Sequence, residues 1–309
     1  MKLDISNNPT ILNKHNDGSG EEYSEGIEAL VAVFKASTTI TELNLSGLVG
    51  RFSKAGPKVA AFVADILNNN GAIVTVNILS NKISKEQLSK LQEIMEVHPT
   101  LVSLCGIADD AAEANLSGLE MGADDAVILA DELPAKGALV KFDISNNKLR
   151  EAGTKAIAEA LQGNSIMTEL NIAGNAMKDS AMDIAKTIPT MGALVSANLL
   201  NNSINLEQAA NLATVLKEHA TLKSLCGNQG DETELDMSGK ELDAEAAIML
   251  APEIAANGRL TSLNMSKNRI GRSYYGDDRH GKIITTGVQA MASAIQEHVS
   301  ALDLARGFI

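Results

Sequence analysis

Tryptophan is absent from this chain, and only five phenylalanines and three tyrosines occur among its 309 residues. An interior with so few bulky rings must be filled by Leu, Ile, Val, Ala and Met, which suits thin stacked layers. Cysteine is nearly absent too: Cys105 and Cys226 are too few for a disulfide framework and suit a reducing compartment, so a cytoplasmic location is expected. No apolar run approaches the ~20 residues that cross a bilayer, and the opening Met1-Lys-Leu-Asp-Ile-Ser has no apolar signal segment. Positive charge is in deficit, with 26 Lys and Arg against 39 Asp and Glu and a formal net charge of −13. Such a chain repels phosphate backbones and anionic lipid head groups, so neither nucleic acid nor a membrane is an expected partner. There is no Walker motif, G-x-S-x-G or H-E-x-x-H. The sequence therefore predicts no enzyme, no catalytic residue, no cofactor and no metal.

What is present is one short text, repeated. Met167-Thr-Glu-Leu170-Asn171-Ile172-Ala-Gly-Asn175 recurs as Ile40-Thr-Glu-Leu43-Asn44-Leu45-Ser-Gly, Phe142-Asp143-Ile144-Ser-Asn-Asn147 and Leu263-Asn264-Met265-Ser-Lys-Asn268. The shared pattern L-x-L-x-x-N is the strand half of a leucine-rich repeat. Its middle residue falls at Asp4, Asn44, Asn77, Cys105, Asn115, Asp143, Asn171, Asn198, Cys226, Asp236, Asn264 and Asp303, with successive gaps of 40, 33, 28, 10, 28, 28, 27, 28, 10, 28 and 39. Between the strand texts lie amphipathic stretches such as 153–163, with apolar residues at i, i+3, i+4, i+7 and i+8. Comparable helices are read near 26–36, 57–69, 85–97, 124–135, 179–188, 206–218, 244–256 and 285–297. A larger unit is superimposed: Ser103-Leu-Cys-Gly106 recurs as Ser224-Leu-Cys-Gly227, an offset of 224 − 103 = 121 residues, and 115–118 recurs as 236–239.

These residues resemble leucine-rich repeats of the ribonuclease-inhibitor type, a group that includes the C-terminal arrays of NOD-like receptors and the Ran GTPase-activating protein. The resemblance covers essentially the whole chain. It implies an α/β fold, a leucine-rich repeat solenoid shaped as a horseshoe, with a parallel β-sheet on the concave face and α-helices on the convex face. Residues 1–309 are expected to form a single solenoid of about 10–12 repeats, with loop insertions near 9–26 and 271–286. Polar capping repeats are absent, so the chain is read as a fragment of a longer array. The resemblance also implies that Asn8, Asn81, Asn147, Asn175, Asn202 and Asn268 bond neighbouring backbone as an internal ladder, from which Leu48, Leu119 and Lys240 depart. The gaps of 10 leave no room for a helix and predict two stunted turns, at Cys105 and Cys226, that leave notches on the helical side.

Alternation along a strand puts the middle residue of L-x-L on the concave surface. The expected partner-binding residues there are Glu42, Asn44, Asn77, Asn115, Asp143, Glu169, Asn171, Asn198, Glu234, Asp236 and Asn264, flanked by Ser46, Ser117, Ser145 and Ser238. Cys105 and Cys226 share that column, and with no His or basic residue beside them in sequence they read as inert structural thiols. Ten to twelve strands at ~4.8 Å make an inner arc of roughly 50–55 Å, a scale suited to a protein partner. A second candidate is the rim loop carrying Arg272, Tyr274, Tyr275, Asp277 and Asp278, because tyrosine and arginine are favoured anchors. The pairs Asp109-Asp110 and Asp124-Asp125 read as a solvated turn and a helix start, respectively. The sequence thus points to a non-catalytic protein-interaction module. The alternatives are a GTPase-activating regulator with an arginine from a post-strand loop (Arg51, Arg150 or Arg272) and the sensing arm of a larger receptor.

Overall fold

The computed structural model describes residues 1–8, 24–49, 55–274, 282–295 and 301–303. The chain divides into two compact units: Met1–Ala114 with Gly118–Ala138, and Asn115–Ser117 with Leu139–Ile309. Both alternate short parallel strands with helices, the architecture of a leucine-rich repeat solenoid.

In the first unit the order is β1 (Lys2–Asp4), α1 (Ser24–Ala36), β2 (Glu42–Asn44), α2 (Gly56–Leu67), β3 (Thr75–Asn77), α3 (Lys85–Val97) and, after the stretch at Cys105, α4 (Ala123–Glu132). Strand β4 (Glu113–Asn115) lies at the boundary of the two units. The second unit continues with β5 (Lys141–Asp143), α5 (Arg150–Leu161), β6 (Glu169–Asn171), α6 (Ala181–Thr187), β7 (Ser196–Asn198), α7 (Leu206–Glu218), β8 (Glu234–Asp236), α8 (Ala244–Ala256) and β9 (Ser262–Asn264). It closes with a two-residue antiparallel pair, β10 (Arg272–Ser273) and β11 (Lys282–Ile283), then α9 (Thr286–Ile295) and β12 (Ala301–Asp303).

Strands pair parallel and in matching register, Leu3 with Leu43 with Val76 in the first unit and Phe142 with Leu170 with Ala197 in the second. β8, β9 and β12 form a further sheet of the second unit. The L-x-L leucines point inward as the alternation requires: Leu43 and Leu45, like Leu170 and Ile172, are buried beneath the helices. The helices start where their caps say they should. Ser84 with Gln87 and Asn205 with Gln208 form capping boxes for α3 and α7, and Asp243 accepts from Ala246 N at α8.

The asparagine ladder is present. Asn81 Nδ2 donates to Leu45 O (2.7 Å) and Ile78 O (3.0 Å), while its Oδ1 accepts from Leu48 N and Val49 N. Asn147, Asn175, Asn202 and Asn268 donate in the same way to their own strand and the preceding one. Among the described residues Asn8 bonds locally, to Ile5 O and Ser6 O, and it is exposed. Leu48, one of the residues that break the pattern, has its N–H taken by Asn81, and Leu242 N is likewise taken by Asn268. One position earlier the chain always turns left-handed: Asn7, Gly47, Ser80, Gly118, Asn146, Gly174, Asn201, Gly239 and Lys267 all have positive φ. That requirement explains why seven of the nine are glycine or asparagine, which tolerate the conformation best; Ser80 and Lys267 are the exceptions. At Gly174 a Cβ would also lie 2.7 Å from Asn146 Oδ1.

The stretches at the gaps of 10 differ from the expectation of bare turns. Ser103 and Cys105 bridge to Thr75 and Asn77, and Ser224 and Cys226 bridge to Ser196 and Asn198. Each is a remnant strand that ends a sheet. Each also follows a matching helix stop, in which His98 and His219 turn Nδ1 to backbone N–H groups (Leu101 N and Leu222 N, both 3.0 Å) and Nε2 to a carbonyl. Because Nδ1 accepts, Nε2 carries the hydrogen in both.

Candidate functional site

The outward face of the strands is built from the middle residues of L-x-L. Nine of them close their strands by accepting the N–H two residues on. Asp4 accepts from Ser6, Asn44 from Ser46, Asn115 from Ser117, Asp143 from Ser145, Asp236 from Ser238 and Asn264 from Ser266. Asn77, Asn171 and Asn198 do the same with Leu79, Ala173 and Leu200. This is an Asx turn, and it is the physical reason that the column is Asn or Asp. Neighbours in the column also join each other: Asn44 Nδ2 to Asp4 Oδ2 at 3.1 Å, and Asn171 Nδ2 to Asp143 Oδ2 at 2.9 Å. The turn hydrogen bonds to Ser6 and Ser238 hold the Asp4 and Asp236 carboxyls below the ordinary range.

Several expected surface residues lie deeper than alternation suggested. Asn77, Ser46 and Ser145 are buried, and Asp143, Glu169, Asn171, Asn198 and Asn264 are half-buried. Glu42, Asn115, Glu234 and Asp236 are exposed. Lys2 lies 3.7 Å from Glu42 and Lys141 lies 3.3 Å from Glu169, so each unit's strand face carries a paired lysine among its acids. On the rim, Arg272 and Tyr274 are half-buried, with the Arg269 guanidinium 5.3 Å from the centre of the Tyr274 ring. Tyr275, Asp277 and Asp278, like Arg51 and the insertion at 9–23, lie outside the described residues. Arg150 is exposed at the start of α5.

Cys105 and Cys226 break the column, and they are not open-face thiols. Both are free and fully buried, and burial with a neighbouring glutamate pushes each thiol well above its usual range. A buried thiol without a stabilised thiolate does not react. A water-soluble thiol reagent should therefore label neither cysteine in the native chain and both after denaturation, read by intact mass.

The glutamates beside those thiols were not anticipated. Where the sheet stops, no further strand offers carbonyl oxygens, and the N–H groups of the remnant strand need other acceptors. Glu132 supplies them in the first unit, taking Ser103 Oγ (2.6 Å) and Leu104 N (2.6 Å). Glu253 does so in the second, taking Ser224 Oγ, Leu225 N, Cys226 N and Asn228 Nδ2 at 2.7–3.0 Å. Both are buried. Lys136, 3% exposed, lies 3.9 Å from Glu132 and donates to Asp109 Oδ1 (2.8 Å) and Val102 O (3.0 Å). Asp109 is thus an ion-pair partner and not a merely solvated acid. Asp125 is buried and accepts from Gly122 N and Ser80 N. The signal for the glutamates was in the sequence: an acid on the apolar face of each helix, at the same 121-residue offset as the cysteines.

Burial raises Glu132 above its ordinary value and pushes Glu253 up to about 7. A carboxyl that protonates near 4.5 when unfolded and near 7 when folded takes up its proton on folding within that window. Its contribution is full below about 4.5 and is lost as pH rises through about 7, amounting to about 3 kcal/mol. Glu132, Asp125 and Asp243, raised by burial, act in the same direction. Denaturant midpoints should fall between pH 5 and pH 8, and Glu253→Gln should flatten the fall.

Beside Glu253 a cavity of about 420 Å³ opens between α7 and α8, lined by Leu216, Lys217, His219, Leu222, Lys223, Gly230, Pro252, Glu253 and Ala256. This is the notch that the short gap implied. Among the described residues no group of three metal-ligating side chains occurs, and no helix is long and apolar enough to cross a membrane.

No family model matches the chain. Protein CARMIL of Dictyostelium discoideum is 19% identical over 289 residues, which cover 87% of this chain but only 27% of that protein. The chain therefore spans about a quarter of the length of the curated relative it matches. Among solved structures, the leucine-rich repeat-containing protein LegL7 of Legionella pneumophila has 17% identity and a TM-score of 0.34, with 94% of this chain and 96% of that one covered. Yeast Rad7, solved with Elc1, has 13% identity and a TM-score of 0.33, with 87% and 70% covered.

Proposed function

We propose that this chain is a non-catalytic protein-binding module, whose partner docks on the strand face and on the rim at Arg272 and Tyr274. The observation that carries the reading is the Asx column. Its amides and carboxylates are fixed by turns and by one another, so a partner meets donors and acceptors that lose little freedom on binding. The row follows the strands, and the hollow beside Glu42, Asn44 and Asn77 holds only about 60 Å³, too little for a substrate, which favours a macromolecule. Glu42, Glu169, Glu234 and Asp236 make basic protein segments the complementary surface. The repeats are assigned to the ribonuclease-inhibitor type, on the helix that fills each regular interval of about 28 residues. A cytoplasmic location is further proposed, on the two free buried thiols.

Affinity capture tests this with the wild type beside a Glu42→Lys/Glu169→Lys/Glu234→Lys variant and an Arg272→Ala/Tyr274→Ala variant. Loss of one defined protein from either variant, with circular dichroism unchanged, is the expected result. Equal capture by all three chains would end the strand-face reading. Acceleration of GTP hydrolysis by a small GTPase, abolished in Arg150→Ala or Arg272→Ala, would instead make the chain a GTPase regulator.

A further inference from the structure

The two blocks related by the 121-residue offset end their sheets alike but fill the space beside the buried glutamate differently. In the first, Lys136 Nζ occupies it, touching Val102 O and Asp109 Oδ1 and lying 3.9 Å from Glu132. At the same offset Val102, Asp109, Glu132 and Lys136 become Lys223, Gly230, Glu253 and Asn257. The first three of these line the 420 Å³ cavity. The fourth has turned away, its Nδ2 donating to Glu232 O at 2.9 Å. The cavity therefore includes the place that a lysine side chain takes in the other block.

Three features of the cavity define what would fit. Its inner end holds Glu253, which has no cation partner among the described residues, whereas Glu132 has Lys136. Its walls include apolar Leu216, Leu222, Pro252 and Ala256. Its mouth carries two exposed ammonium groups, those of Lys217 and Lys223. His219 contributes no free polar atom, because both ring nitrogens are engaged with backbone. A plain amine would suit the inner end but be repelled at the mouth, and a plain carboxylate the reverse.

We propose that this cavity binds a small aliphatic amino carboxylate, with its ammonium where Lys136 Nζ sits in the first block and its carboxylate between Lys217 and Lys223. The Glu253 oxygens already accept four hydrogen bonds, so the ammonium is held by charge at the separation seen for Lys136 and Glu132 and by the Lys223 carbonyl.

Calorimetric titration of the full chain with 6-aminohexanoate, hexylamine and hexanoate tests this. The expected result is one site that prefers 6-aminohexanoate to either monofunctional compound by at least about tenfold. Asn257→Lys should fill the site with a lysine, as in the first block, and abolish binding. Lys217→Ala/Lys223→Ala, which changes only exposed groups, should weaken 6-aminohexanoate by about tenfold and leave hexylamine unweakened. The lysine variant decides the matter if Asn257→Lys does not fold. Absence of 6-aminohexanoate binding, binding unchanged in either folded variant, or equal affinity for hexanoate would overturn the proposal.

Discussion

Replacing Glu253 with alanine is expected to destabilise the second unit by about 3 kcal/mol, a large loss for a single site. The side chain is 4% exposed and accepts from two backbone N–H groups, a hydroxyl and an amide. Cys226 N keeps Ser224 Oγ as an acceptor at 3.0 Å and Asn228 can shift, but Leu225 N is held by the strand and would be left buried without an acceptor. Such a stranded group costs about 1–3 kcal/mol, and the three other bonds that Glu253 accepts are lost with it. Glu132→Ala should cost at least as much in the first unit, because it also removes a carboxylate from beside the buried Lys136 ammonium. The double change Glu132→Ala/Lys136→Met should recover part of that loss. Urea denaturation followed by circular dichroism measures both, and a change below about 1 kcal/mol for Glu253→Ala would show that the sheet end does not depend on the carboxylate.

The second large effect is expected at Asn81. Asn81→Leu keeps the branching at Cγ but strands two donors, Leu48 N and Val49 N, and two acceptors, Leu45 O and Ile78 O, at a fully buried position. A loss of about 3–5 kcal/mol follows from that count. The control is Asn8→Leu: among the described residues this exposed Asn bonds two local carbonyls, and a change within about 0.5 kcal/mol is expected there. Equal effects at Asn8 and Asn81 would mean that the ladder contributes through local turn geometry and not through its buried bonds.

Much of this architecture is legible in the residues alone. The helix at 85–97 and that at 206–218 stand within the bounds that periodicity gives, because an amphipathic face and a capping box are both local signals. The ladder asparagines are equally legible, since their spacing from L-x-L sets where the amide must reach. The strand face was harder. Alternation correctly turned Leu43 and Leu45 inward, but it also placed Cys105, Ser46 and Asn77 outside, where they are not. Alternation describes an extended strand, whereas these strands are three residues long and bend at once into an Asx turn that folds the next residue inward.

The sequence by itself determined the repeat, the inward leucines, the turn residues and the places where the period fails. Those features are set by contacts within one repeat or with its immediate neighbour, and each repeat states them again. Only the tertiary structure decided what happens where a repeat is missing. There the exposed edge of a sheet must find acceptors from whatever element packs against it, and that element lies about 28 residues further on, in the next helix. Glu132 and Glu253 meet the same backbone demand, yet Lys136 fills one notch and Asn257 leaves the other open. The spacing of residues shows that a notch exists, but its contents depend on where the side chains around it meet in space.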